Sequence, residues 1–152
     1  MKIQFGLAWH RPGQPARKAF KSPQACALLL EYTERISRFC PCGIQSFDAA
    51  SYQKGSGAKL WVCHRGTGSG MMSSEELAAA LAKICDGGCR ELWIAVGGPD
   101  GFSEGELAAL KPDMKWSFGP LTLPHELAAI VAGEQIYRAW TILKILPYHQ
   151  KH

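Results

Sequence analysis

Apolar residues recur along the chain with two periods, one typical of strands and one typical of helices. Alternate residues are apolar from Ile3 to Trp9, which predicts a first strand with one buried face. Successive apolar residues at 60–63 and 92–96 predict strands that are buried on both faces, as in a parallel sheet covered by helices. Two further short strands are predicted at 44–47 and 116–118.

Helices are predicted where a capping residue precedes a segment with helical apolar spacing. Ser22 opens the first segment, and Ser-x-x-Glu capping boxes open the next two at Ser73 and Ser103. The three predicted helical segments are 22–40, 75–85 and 103–111. Because strands alternate with helices, the sequence predicts one α/β domain over residues 1–152 with a mostly parallel sheet.

The last predicted helix, 126–146, is apolar on nearly every side. Thr122 is placed to cap it, and Pro124 is placed to open its first turn. A helix that is apolar all round is buried on two sides. In a chain of this size we expect the second side to meet another subunit, with Gly133 allowing close approach there. The pattern therefore predicts a homodimer.

The composition narrows the class of protein. The chain has 152 residues, of which 47% are hydrophobic and 20% charged, as in an ordinary globular domain. No apolar run reaches the length of a membrane span, and the first residues lack a signal-peptide pattern. We therefore expect a cytoplasmic protein with no membrane partner. The net charge of +4 permits a polyanionic partner without requiring one.

A basic loop interrupted by proline and glycine follows the first strand, from His10 to Lys18. One interpretation is a solvated loop, and the other is a lip that contacts nucleic-acid phosphates. The residue types fit both interpretations equally well.

Six cysteines raise the question of a metal site or disulfides. The Cys40/Cys42 and Cys85/Cys89 pairs have the wrong spacing for a zinc ribbon, and a cytoplasmic chain keeps its thiols reduced. We therefore expect buried or idle thiols and no metal, with Cys63 and Cys85 acting as small core residues.

Three loops that contain glycine follow predicted strands, at 66–70, 97–101 and 117–123. In an open α/β sheet, ligands bind beyond the carboxyl ends of the strands, so these loops are expected to converge on one site. None has the glycine spacing of a dinucleotide site or the lysine of a nucleoside triphosphate loop. The sequence therefore favours neither of those two ligands.

Four separated sequence motifs occur in the same order and spacing as in a known protein family. They are Val96-Gly-Gly-Pro-Asp-Gly-Phe-Ser103, Leu121-Thr-Leu-Pro-His125, Glu134-Gln-Ile-Tyr-Arg-Ala-Trp140 and Pro147-Tyr-His149. Together they resemble the RlmH family, closely from about Trp61 to His149 and loosely before. The resemblance implies a SPOUT-type fold with a C-terminal trefoil knot. It also implies an S-adenosylmethionine-dependent methyltransferase that acts on N3 of a pseudouridine in large-subunit ribosomal RNA.

The resemblance further implies which residues bind the methyl donor. Most of them belong to the second and third glycine loops, where the backbone is implied to surround adenine and ribose. Arg65 begins a first loop that departs from the family pattern. The implied donor residues are Arg65, Gly97, Gly98, Gly101, Phe118, Gly119, Pro120, Leu121, Thr122 and Leu123.

Methyl transfer to a weakly acidic ring nitrogen needs a positioned acceptor and a nearby cation or base. The candidates are Arg138 to steady the anion, Glu134 to hold Arg138, and Tyr148 with His149 on the tail. The alternative for Glu134 and Arg138 is a structural ion pair at a dimer interface. The tail is expected to become ordered only when RNA is present.

The chain departs from the family pattern in two further places. Segment 48–59 is shorter by most of one helix, and Gln150 stands where the family normally has the basic residue that follows Tyr-His. Either Lys151 substitutes for that residue or the RNA contact is weakened. His64 and His125 are interpreted as structural. Three functions stay open: an RlmH-type enzyme, a SPOUT enzyme for another RNA, and a ribosome-binding module with weak donor affinity. The expected partner is ribosomal RNA or the ribosome, and a DNA partner is not expected.

Overall fold

The protein is described by a computed structural model that covers residues 1–66 and 70–150. The strands are Lys2–Leu7 (β1), Cys42–Ser46 (β2), Ala58–His64 (β3), Glu91–Val96 (β4) and Met114–Ser117 (β5). The helices are Ala16–Ala19 (α1), Pro23–Ile36 (α2), Ser74–Asp86 (α3), Glu104–Leu110 (α4) and His125–Leu143 (α5). The strands form one sheet in the order β2-β1-β4-β3-β5, with parallel pairing throughout. The predicted α/β fold with a parallel sheet is confirmed, whereas the trefoil knot stays a prediction.

Side-chain caps fix where most of the helices begin. The Ser22 hydroxyl accepts a hydrogen bond from the third residue of α2, and complete capping boxes open α3 at Ser73 and α4 at Ser103. These three predictions are confirmed. The predicted cap of α5 is wrong, because Pro124 occupies the N-cap position and no side chain caps the helix. The Thr122 hydroxyl instead accepts a hydrogen bond from Arg65.

Strand β1 is more deeply buried than its alternating pattern predicted. Every residue from Ile3 to Leu7 is buried, because β1 lies between β2 and β4 and both of its faces are covered. Gly6 leaves room for the second face, since a Cβ there would lie 2.9 Å from Cβ of Phe47. Trp9 lies beyond the end of the strand.

Helix α5 packs against α2 on one side and α3 on the other. Ala132 and Ile136 are fully buried in this layer. Gly133 approaches α2 closely, because a Cβ at this position would lie 3.0 Å from Leu29 Cδ1. The prediction that Gly133 serves a contact between subunits is therefore wrong. The exposed part of α5 includes Leu127, which is 44% accessible.

The other face of the sheet is covered partly by α4 and partly by a cluster of aromatic side chains. The ring of Tyr52, in the short segment after β2, lies 5.0 Å from the ring of Phe47 and 5.7 Å from that of Trp93. Phe102 closes the cluster, with its ring 5.8 Å from that of Phe47. Burial raises the pKa of Tyr52 to about 12, helped by nearby carboxylates. Its hydroxyl is buried and, among the described residues, has no hydrogen-bond partner.

Cysteines in the described residues are all free thiols. Cys63 is buried as predicted, and Cys85 is half-buried against the core. Burial raises the pKa of Cys40 to about 11 and of Cys42 to about 12, so these thiols stay protonated at neutral pH. Within residues 1–66 and 70–150 no cluster of three metal-binding side chains occurs, and no helix could cross a membrane.

Candidate active site

Strands β3, β4 and β5 end at the same edge of the sheet, and the loops that follow them enclose a cavity of about 490 Å³. This volume is in the usual range for a small-molecule site. Nine of the ten residues implied to bind the donor line the cavity: Arg65, Gly97, Gly98, Gly101, Phe118, Gly119, Leu121, Thr122 and Leu123. Pro120 is exposed and is not part of the lining. Residues 67–69 of the first glycine loop lie outside the described residues.

The glycines of the second loop have different roles. A Cβ on Gly97 would lie 2.8 Å from Cα of Gly101, so Gly97 allows the 97–101 turn to close. The turn is held by the Gly101 amide, which donates to the Gly98 carbonyl at 2.9 Å. A Cβ on Gly98 would meet no atom within 4 Å. Gly98, rather than Gly97, therefore keeps cavity space open.

Polar contacts tie the first and third loops together. Arg65 Nη1 donates to the Thr122 hydroxyl at 2.9 Å. The Ser117 hydroxyl donates to the Gly66 carbonyl and accepts from the Gly119 amide. These bonds fix one wall of the cavity.

The third loop also presents unused backbone donors. Among the described residues, the amides of Leu121, Thr122 and Leu123 make no hydrogen bond. Unpaired amides on a cavity wall are available to the acceptor atoms of a bound molecule. The wall therefore combines apolar side chains with hydrogen-bond donors.

Two histidines line the cavity although the sequence suggested only structural roles. His64 is the last residue of β3, and its Nε2 is buried with no partner within the described part of the chain. His125 begins α5, and its ring lies 4.6 Å from the Trp9 ring. Their positions beside glycine loops at the carboxyl edge of the sheet were the signal that could have identified them.

The four residues proposed to act on the acceptor form one mostly buried cluster where α5 meets the C-terminal tail. Glu134 Oε1 accepts from Arg138 Nε at 2.9 Å and from the Tyr148 hydroxyl at 3.1 Å. Arg138 Nη1 lies 3.1 Å from His149 Nδ1, and the guanidinium carbon lies 4.9 Å from the Tyr148 ring centre. The fold thus brings residues from α5 and the tail together.

The electrostatics of this cluster favour a fixed cation. The hydrogen bond to Glu134 raises the pKa of Arg138. Burial raises the pKa of Tyr148 well above that of a free phenol, and Tyr32 and Glu134 add to the effect. Arg138 therefore stays charged and Tyr148 stays protonated, so Tyr148 is a hydrogen-bond donor rather than a base.

The tail is held by the chain itself. The Tyr148 ring packs edge-on against Tyr137 at 4.7 Å, and His149 Nε2 lies 3.0 Å from Glu75 Oε1. Tyr148 thus has an anchor on α5 that was not predicted from the sequence, and ordering of the tail over the site by RNA stays a prediction. Lys151, suggested as a substitute basic residue, lies outside the described residues.

A second cavity of about 360 Å³ lies between the first cavity and the cluster. It shares Phe118 and Gly119 with the first cavity. Its opposite wall includes Gln135, whose amide nitrogen donates to Glu134 Oε2 at 2.8 Å. The Arg138 cluster is thus near the donor loops without lining the donor cavity of its own chain.

Comparison with known proteins identifies the family. The family described as "Predicted SPOUT methyltransferase" matches residues 18–149. The chain belongs to the SPOUT methyltransferase family.

Relatives of this SPOUT chain are named "Ribosomal RNA large subunit methyltransferase H". The protein from a Psychrobacter species is 43% identical over 149 residues, covering 98% of this chain and 83% of the relative. The protein from Methylococcus capsulatus is 34% identical over 135 residues, covering 87% and 85%. These relatives confirm the RlmH resemblance inferred from the motifs. Membership of a methyltransferase family implies a methyl donor, and the larger cavity is the candidate site for it.

Proposed function

We propose that the protein transfers a methyl group from S-adenosylmethionine to N3 of a pseudouridine in large-subunit ribosomal RNA. The observation that carries the proposal is the cavity formed by the loops at 97–101 and 118–123 in a SPOUT methyltransferase chain. The name shared by its relatives supports ribosomal RNA as the acceptor.

The cavity fits the proposed donor in size and chemistry. Gly98 leaves space for a ligand, and the free amides of 121–123 suit the acceptor atoms of an adenine and a ribose. Phe118 and Leu123 supply apolar wall. S-adenosylmethionine, when bound, supplies an electrophilic methyl group on a sulfonium.

The Arg138 cluster is suited to the acceptor. N3 of a pseudouridine becomes a nucleophile when it loses its proton, and a nearby cation stabilises the resulting negative charge. Arg138 carries a permanent charge and is oriented by Glu134, while Tyr148 offers a neutral donor. Because Arg138 donates to His149 Nδ1, the neutral ring of His149 carries its proton on Nε2, toward Glu75. His149 could accept a proton at Nδ1 only after Arg138 moves away.

We infer that two subunits form the complete site. The cluster does not line the donor cavity of its own chain, so a partner copy can bring a second Arg138 to the donor. Exposed apolar residues support such a dimer, since Leu121 at the cavity rim is 70% accessible and Leu127 on α5 is 44% accessible. We therefore propose a homodimer with its cavities facing the partner's clusters.

The function is tested by methyl transfer. Purified protein is mixed with labelled S-adenosylmethionine and large ribosomal subunits from a strain that lacks the modification, and the labelled nucleoside is mapped by mass spectrometry. The expected product is N3-methylated pseudouridine. Donor binding by calorimetry without labelling of large-subunit RNA would favour another RNA target, whereas absence of donor binding would favour a ribosome-binding module.

The two-subunit site is tested by mixing two inactive variants. Gly98→Val removes the donor site, and Arg138→Ala removes the cation. If each site combines both subunits, a mixed dimer has one intact site. Each mixed dimer should then have up to half the activity of a wild-type dimer. If each chain contains its whole site, the mixture stays inactive. Sedimentation at micromolar concentration checks the dimer itself, and a monomer there would contradict the proposal.

A further inference from the structure

The net positive charge of the protein is carried by one segment, defined here as the basic segment 10–21. It contains Arg11, Arg17, Lys18 and Lys21, and no acidic residue occurs before Glu31. Without these four cations the chain has thirteen basic and thirteen acidic residues, from totals of 17 and 13. The entire net charge of +4 therefore belongs to twelve consecutive residues.

These cations are not used within the fold. All four side chains are exposed. Among the described residues, none of them forms an ion pair, although Arg35, Lys54 and Arg138 do. Like charges in a short segment repel one another, and an external anion that binds there removes this repulsion.

The basic segment has a defined conformation. His10 Nε2 lies 2.7 Å from the Gln14 carbonyl, and the short helix α1 carries Arg17 and Lys18. The Glu126 carboxylate accepts from the backbone amides of Lys21 and Ser22 at 2.9 and 3.1 Å, which fixes the end of the segment to α5. The cations are thus presented by an ordered backbone.

The anchor points place the basic segment beside the donor cavity. The Trp9 ring contacts Phe20 at 5.9 Å and His125 at 4.6 Å. His125 lines the cavity, and Glu126 follows it in α5. An RNA strand whose base enters the methylation site therefore has the end of the basic segment, at Lys21, beside it, and Lys18 and Arg17 precede Lys21 by three and four residues.

The chemistry of the segment fits a phosphate backbone. Its exposed residues are cationic, polar or small, and its single aromatic residue, Phe20, is buried. It lacks the exposed apolar residues that insert into a lipid surface and the exposed rings that stack on bases. Such a surface is expected to contact phosphates without reading sequence.

We propose that the basic segment 10–21 binds the sugar-phosphate backbone of the RNA whose base is methylated, on the rim of the donor cavity. The inference rests on the proposed function and adds to it the surface that holds the RNA strand. The phosphate contacts of the basic segment position the RNA strand, and the Arg138 cluster acts on the base.

The test uses two matched double variants of the full-length protein. Arg17→Gln/Lys18→Gln removes two cations from the basic segment. Arg38→Gln/Lys83→Gln removes two exposed, unpaired cations near the ends of α2 and α3, at the opposite edge of the parallel sheet. Affinity for large-subunit RNA is measured over a range of salt concentrations, together with KM and kcat for methylation.

Each phosphate contact on a single strand contributes about 0.7 to the slope of log affinity against log salt. We expect Arg17→Gln/Lys18→Gln to reduce that slope by about 1.4, and to weaken RNA binding roughly tenfold at about 0.15 M salt. KM for RNA should rise while kcat and donor affinity stay unchanged. The Arg38→Gln/Lys83→Gln variant should match the wild type.

Equal slopes for the two double variants would overturn the proposal. A second pair, Arg11→Gln/Lys21→Gln, repeats the measurement if the first variant unfolds. If the wild type does not methylate ribosomal RNA, the proposed function is refuted instead. The salt dependence of RNA binding by the two double variants would still test the basic segment on its own.

Discussion

Replacing Glu134 by glutamine should destabilise the fold as well as reduce methylation. The carboxylate accepts from Arg138, Tyr148 and Gln135, and the side chains of Glu134 and Arg138 are only 18% and 24% accessible. Glu134→Gln preserves the shape but removes the charge and leaves Arg138 without its counterion. Hydrogen bonds to charged groups contribute about 1.5–3 kcal/mol, and exposed pairs about 0.2–1 kcal/mol. Because this pair is mostly buried, we expect a loss of about 2 kcal/mol.

The measurement is urea and thermal unfolding followed by circular dichroism. For a chain of this length, a loss of about 2 kcal/mol lowers Tm by roughly 4–8 °C. The control is Glu31→Gln, which removes the other i, i+4 Glu–Arg pair, with Arg35; its side chains are 49% and 35% accessible. The control should cost no more than about 0.5 kcal/mol. Equal losses for the two variants would refute the reasoning about burial.

A double-mutant cycle separates the structural and catalytic roles of the pair. Arg138→Gln and Glu134→Gln should together cost less than the sum of the single losses, because each single variant leaves an unpaired charge. Neither residue lines the donor cavity, so affinity for S-adenosylmethionine should stay within about twofold. An interaction energy near zero would show that the pair is not coupled.

Other substitutions test the remaining parts of the site and the core. Gly98→Val should weaken donor binding about 100-fold in calorimetry with an unchanged Tm, because its side chain meets only cavity space; unchanged affinity would exclude this loop. Deleting residues 147–152 should abolish methylation and preserve donor binding, and a normal rate would remove Tyr148 and His149 from the mechanism. Tyr52→Phe should raise stability at pH 7 by about 1 kcal/mol, since the buried hydroxyl lacks a partner among the described residues. The raised pKa of Tyr52 keeps its proton in the folded state, so wild-type stability should fall between pH 10 and about 12, and Tyr52→Phe should lose less there; identical pH profiles would contradict this explanation.

The starts of three helices could be predicted from the sequence because the residues that signal a helix start lie within a few positions of one another. Ser22, Ser73 and Ser103 cap helices where the sequence placed them, since a cap depends on residues three positions away. Thr122 failed as a cap because Pro124 takes the N-cap position, two residues later, and the Thr122 hydroxyl instead accepts from Arg65, which is distant in sequence. The alternating pattern of β1 was likewise misleading, because the neighbours that bury Gln4 and Gly6 come from other parts of the chain.

The glycine loops around the donor cavity were predicted better from the sequence than the contacts of the C-terminal tail. The glycine loops converge as expected, because the carboxyl ends of parallel strands meet at one edge. The detail that Gly97 closes a turn while Gly98 faces space depends on backbone geometry that composition does not encode. His64 is a strand residue as predicted, but that it also lines the cavity was not predicted, because a polar residue at a strand end has no distinctive pattern until the cavity is known. The docking of Tyr148 on α5 was missed because one aromatic residue in a polar tail gives little sign of its partner.

Helix α5 connects the donor cavity, the basic segment and the Arg138 cluster. Its first turn supplies His125 to the cavity and Glu126 to the basic segment, and its middle buries Ile136 in the core. The face of α5 that meets the C-terminal tail carries Glu134 and Arg138, the mostly buried charges in an otherwise apolar helix. A helix that needed only to be buried would gain nothing from such a pair, because desolvating two charges is unfavourable without a further use for them. A change at Glu126 should therefore affect RNA binding and a change at Arg138 should affect acceptor chemistry, whereas a cavity-forming change at Ile136 should impair donor binding, acceptor chemistry and stability together.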